Sequence, residues 1–236
     1  MLQRVKLEFK QGESLLKFGF LKAAGQVFGM AAPLVIAKYF SPELFGSYSL
    51  AKMVVFFFLS LLISSFQSPF IVFANQEMVQ TGKINKSFSV QCACFFVGVI
   101  VFLILGAVFN KAITGFAKIT SVNLFFMSLA FVGIALKMFL DNLFMAIDQR
   151  LKNSLVELVF GGLVITMVAA LYLTHDLTLN AVFLVYFISG VIVSLLFATE
   201  NSLLLSKAIR LINNRSNNSS VKGIISPPSS IRLSMP

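Results

Sequence analysis

Six apolar runs, each about as long as a bilayer is thick, restrict what this sequence can fold into. They cover residues 15–38, 45–72, 88–109, 122–146, 154–173 and 181–204. A helix rising 1.5 Å per residue needs about 20 apolar residues to cross the hydrocarbon core. Polar stretches at 41–43, 75–86, 110–121, 148–153 and 174–180 separate the runs. The reading is an all-α membrane protein, a polytopic bundle of about six transmembrane helices over residues 15–205. A cytosolic segment (1–14) precedes it and a polar tail (206–236) follows. Composition agrees, with 58% of residues hydrophobic and 12% charged, where a soluble domain is about 45–50% apolar and about a quarter charged. The second run is overlong and holds Pro69, so a kink, a tilt or an interfacial end is expected there. The first run is too long for the core of a secretory signal, and Lys17 and Lys22 interrupt it. From about residue 213 the chain turns to Asn, Ser and Pro, a composition that cannot bury enough apolar area to offset its ordering entropy.

Basic residues in the connections set the expected orientation. Arg4, Lys6, Lys10, Lys83, Lys86, Arg150, Lys152, Lys207, Arg210, Arg215, Lys222 and Arg232 fall on one side of a six-helix topology. Lys38, Lys111 and Lys118 fall on the other. Twelve against three places both termini in the cytosol. The net charge of +10 then reads as topology and attraction to anionic membrane lipid, and no nucleic-acid partner is expected.

Soluble-enzyme chemistry finds little support. The sequence has no phosphate-cradling glycine loop, no metal-ligand cluster and no nucleophile beside a base, so no catalytic residue, metal or cofactor is expected. Cys92 and Cys94 sit inside an apolar run without His or Asp nearby, which reads as packing. His175, the only histidine, is expected to be a solvated loop residue.

One segment carries a family likeness. An apolar helix ends in Lys38-Tyr39-Phe40, a turn Pro42-Glu43-Leu44-Phe45-Gly46 follows, and Ser47-Tyr48-Ser49 opens the next helix. Proline suits an early helical position, and glycine a close helix approach. The stretch resembles the first helix–loop–second helix of polysaccharide-biosynthesis flippases, the Wzx-type O-antigen and capsule translocases. Ala146-Ile147-Asp148-Gln149-Arg150 is similar to that family's basic loop between helices four and five. The resemblance covers about residues 12–205 and implies one lobe, the N-terminal one, of a MATE-like carrier. It implies a multi-pass protein of the bacterial plasma membrane that moves an undecaprenyl-pyrophosphate-linked oligosaccharide outward. It also implies H+ or Na+ as coupling ion, and a second lobe from homodimerisation or a separate chain. The alternatives are a MATE-like cation-coupled drug exporter, a polysaccharide polymerase or ligase, and a non-functional fragment. The polymerase would need a large outer loop, and the longest outer connection is 110–121.

Charges within the runs are the candidate site. Each costs at least about 2.5–3.5 kcal/mol at a helix centre and therefore needs a partner or water. Lys22, Gly25, Gln26, Gly29 and Pro33 keep to one face of the first helix, and Gly133, Lys137 and Asp141 to one face of the fourth. Lys22 and Gln26 are the first candidates for a hydrated cavity that takes phosphate or acidic sugar. Lys52 is the second. Lys137 and Asp141 can pair directly, in a structural or a cavity role. Lys17, Glu157 and Glu200, nearer run ends, are expected to snorkel to the inner interface. Gly25 and Gly29 permit close helix packing.

Overall fold

The structure is a computed structural model that describes residues 2–81 and 84–197, with side chains from residue 16. Glu200, the end of the sixth run and the tail lie outside the described residues. Among those described, 91% are helical and none is in a strand. In order, the helices are α1 (Leu2–Tyr39), α2 (Pro42–Leu62), α3 (Gln67–Thr81), α4 (Asn85–Val108), α5 (Asn110–Ala117), α6 (Ser121–Ala146), α7 (Arg150–Leu173) and α8 (Leu179–Phe197). Six stretches are long and apolar enough to cross a membrane: Leu16–Tyr39, Pro42–Thr81 (α2 and α3 together), α4, α6, α7 and α8. The protein is an all-α polytopic bundle. Only 17–44% of each span's apolar window is buried, so most of this surface points outward. Side chains such as Phe57, Phe73 and Phe96 would be untenable in water and suit lipid.

Local chemistry explains the ends. At the start of α2, Ser41 is the N-cap and its hydroxyl accepts from Leu44 N at 3.3 Å, with Pro42 and Glu43 in the first turn. This satisfies a free amide and places acid at the positive helix end. Gly46 does not serve a close approach, because a Cβ there would meet nothing within 4 Å. A capping box opens α6, where Thr120 Oγ1 accepts from Asn123 N and Asn123 Oδ1 from Thr120 N.

The overlong second span breaks at a 3-10 turn, Ser64–Phe66, ahead of Pro69. Ser65 Oγ donates back to Leu61 O at 2.7 Å and Ser60 O at 3.1 Å, a back-bond that bends helices. Pro69 falls in the first turn of α3, where a missing N–H costs nothing. The expected outer loop 110–121 is itself largely the helix α5.

The core joins α1, α2, α4, α6, α7 and α8. Phe102 of α4 stacks on Phe131 of α6 with centroids 3.8 Å apart, and Phe58 of α2 meets Phe102 edge-on. Ala32 and Ile36 of α1, Val164 and Val168 of α7, and Val182 and Phe183 of α8 are fully or almost fully buried. Small residues set the crossings. A Cβ on Gly133 would stand 2.5 Å from the Phe187 Cα, so α6 and α8 approach with no side chain between them.

Candidate functional site

The structure gathers three of the five sequence candidates, and adds a fourth group, near the arginine end of α7. Lys137 of α6 pairs with Asp141 one turn along, Nζ to Oδ2 at 2.6 Å, and also with Glu157 Oε2 of α7. Glu157 therefore does not snorkel; it closes an ion-pair bridge between two helices. The three side chains are 12%, 16% and 28% exposed, a degree of covering at which neither charge sign is tolerable alone. Asn153 Nδ2 donates to the Asp141 carbonyl at 3.1 Å and to Oδ1 at 3.3 Å. Lys22 of α1 lies within electrostatic range of Asp141, its ammonium 5.6 Å from the centre of the Phe18 ring.

The placing of α1 on α7 follows from glycine. A Cβ on Gly25 would stand 2.8 Å from Leu158 N, and one on Gly161 would stand 2.8 Å from Gly25 O. Ser154 Oγ also donates to Phe18 O at 3.2 Å. Gly25 is thus spent on a contact within the chain, and the two helices run side by side with Lys22 level with the start of α7. Lys137 lies nine residues from Ala146, and Glu157 seven from Arg150. At 1.5 Å per residue these are depths of about 14 and 10 Å from one end of the bundle.

Gln26, one turn beyond Lys22, is exposed, and Lys22 is half-buried. Together they put a polar edge on the outside of the bundle. Lys52 stands apart. Its ammonium is 5.8, 5.7 and 5.8 Å from the ring centres of Tyr48, Phe56 and Tyr186, a cation–π cage. The Tyr48 and Tyr186 hydroxyls share a hydrogen bond of 3.0 Å. Ser47 Oγ donates to Lys118 O at 3.3 Å, which levels this part of α2 with the start of α6. Lys52 is five residues on, about 8 Å at 1.5 Å per residue, and so lies toward the opposite end of the bundle from the cluster. It does not share a site with Lys22.

Asn153 escaped the sequence reading, and Glu157 was read there as snorkelling to the interface and not as a partner of Lys137. Their signal was present: Asn153, Glu157 and Gly161 recur every four residues and line one face of α7. Among the described residues no group of three or more His, Cys, Asp or Glu is placed to hold a metal, and Cys92 and Cys94 are free. His175 is exposed and holds a positive φ of 61° at the end of α7.

Comparison with protein-family models, with curated proteins and with solved structures gave no match for this chain.

Proposed function

We propose that the chain is a lobe of a membrane carrier that moves an undecaprenyl-pyrophosphate-linked oligosaccharide across the bacterial plasma membrane, for O-antigen or capsule assembly. One observation carries this reading. Four charges on three helices, Lys22, Lys137, Asp141 and Glu157, come together within apolar spans, beside a polar edge at Gln26. Charges within spanning helices are costly, and they typically mark substrate or ion paths. The turn at 38–49, with its serine cap, early proline and acidic first turn, adds the Wzx-type likeness. Both termini lie in the cytosol on the count of basic residues.

The edge at Lys22 and Gln26 cannot rest against hydrocarbon, so it faces a second lobe across a hydrated path, from another copy or a separate chain. A second reading, a cation-coupled exporter, is favoured by the two carboxylates that flank Lys137. Vesicles test the choice. The chain, alone and with a homologous second lobe, is reconstituted with labelled polyprenyl-pyrophosphate oligosaccharide, and leaflet exposure is read with an impermeant glycosidase. The flippase reading expects movement that falls when Lys22→Ala is introduced. Movement of a cationic dye, with none of the oligosaccharide in either arrangement, overturns it in favour of the exporter.

A further inference from the structure

We propose that α3 is a hinged flap, which swings at the 3-10 turn Ser64–Phe66 and is latched by Glu77 to the N-terminus of α4. Its role rests on the carrier reading, in which the flap gates the end of the bundle that Lys83 and Lys86 place in the cytosol.

The hinge lies where the second span is discontinuous. Phe66 N would pair with Leu62 O in an unbroken helix, but it turns to Ile63 O at 3.3 Å. The Ser65 hydroxyl draws on the carbonyls of Ser60 and Leu61, and Pro69 brings no amide to the first turn of α3. Packing is slack at the same place. A cavity of about 20 Å³ is lined by Leu62, Ile63 and Phe66 of the break, with Gln91 of α4 and Asn142 of α6 opposite. Gln91 is 8% exposed, and its Oε1 has no hydrogen-bond partner among the described residues. Side chains on the wall of a void have fewer contacts to lose when the chain rotates there.

Beyond the hinge, apolar packing holds α3 lightly. Among the described residues it contributes nothing to the main core. Its Phe70 and Ala74 form a small separate cluster with Ala146 at the end of α6, edged by Ile71 and Ile84. A segment with so few buried apolar contacts opens at lower free energy than the rest of its fold. The far end is held by polar bonds instead. Glu77 Oε1 accepts from Lys86 N at 2.8 Å, and Oε2 accepts from Ser87 N at 2.8 Å and Ser87 Oγ at 2.7 Å. Ile84 stands at the N-cap of α4 and supplies no side-chain cap. A carboxylate from α3 therefore satisfies the first amides of α4 and meets its positive end. Hinge, satellite cluster and latch all lie along α3, so it can open while the main core stays packed.

The test is amide hydrogen exchange, read by mass spectrometry on the full chain in lipid nanodiscs without substrate. Amides of residues 70–81 should exchange faster than those of α6. Glu77→Ala should raise their exchange about tenfold or more, the worth of a lost hydrogen bond to a charged group. The rise should stop at Ser64–Phe66 and leave α2 unchanged. Gln76→Ala, at the exposed neighbouring position, should alter nothing. The bundle supplies its own folding control, since α6 and α7 should keep wild-type protection in Glu77→Ala. Wild-type protection of α3 equal to that of α6, or a Glu77→Ala rise shared by α2, α6 and α7, overturns the proposal. Exchange is read without substrate, so its failure removes the flap alone. Absent flipping beside an α3 that opens as described removes the carrier reading alone.

Discussion

Gly25 of α1 and Gly161 of α7 meet backbone to backbone, so closely that a Cβ on Gly161 would stand 2.8 Å from the Gly25 carbonyl oxygen. This contact fixes α1 on α7 and brings Lys22 beside the Lys137–Glu157 bridge. Gly25→Ala and Gly161→Ala should each destabilise the bundle by about 1–3 kcal/mol, the usual cost of overpacking. Gly29→Ala and Gly46→Ala, where a Cβ meets nothing within 4 Å, should be neutral or slightly stabilising. Thermal unfolding in detergent separates the two pairs. Equal melting temperatures for all four would contradict the crossing.

The ion network gives an asymmetric expectation. Lys137→Met strands two carboxylates at 16% and 28% exposure and should cost about 3–5 kcal/mol. Glu157→Gln leaves the Lys137–Asp141 pair intact and should cost clearly less. The triple change Lys137→Met, Asp141→Asn, Glu157→Gln should recover much of the loss, because no charge is then left unpaired within the triad. Denaturant midpoints of the three variants check the order. A triple variant as unstable as Lys137→Met alone would argue that packing, not charge pairing, holds α6 to α7.

Orientation is tested with reporter fusions. Those after Gly82, Gln149 and Ser216 should read cytosolic, and those after Pro42, Gly115 and Asp176 external, on the twelve-to-three distribution of basic residues. A cytosolic signal at Asp176 would break the six-span topology.

The apolar runs located all six spanning helices, because length and hydropathy are set by the bilayer and not by the neighbours, although the second span continues to Thr81, nine residues past the run that marked it. Features set by neighbours were harder to read. Pro69 drew attention to the second span, yet the bend lies at Ser65, whose hydroxyl takes two helix carbonyls. Gly46 looked like a crossing residue within its motif, but a Cβ there would meet nothing within 4 Å, so no neighbour packs against that face. The Lys137–Asp141 pair was legible from its spacing of four within one helix. Glu157 was not, since joining it to Lys137 requires the packing of α7 on α6. Lys52 looked like a companion of Lys22 in sequence. Only the bond from Ser47 to Lys118 O shows that it belongs to the other end of the bundle.

The most direct measurement concerns the polar edge of α1. Single cysteines at positions 20, 22, 26 and 27, in a background lacking Cys92 and Cys94, are treated in intact membranes with a small water-soluble thiol reagent. All four positions lie at least partly on the outside of the bundle, with Phe20 75% and Val27 63% exposed, so the experiment separates water from lipid rather than surface from core. Fast labelling at 22 and 26, with protection at 20 and 27, is expected if Lys22 and Gln26 line a hydrated path. Equal protection at all four would contradict that path and leave Lys22 as a structural cation buried in lipid or protein.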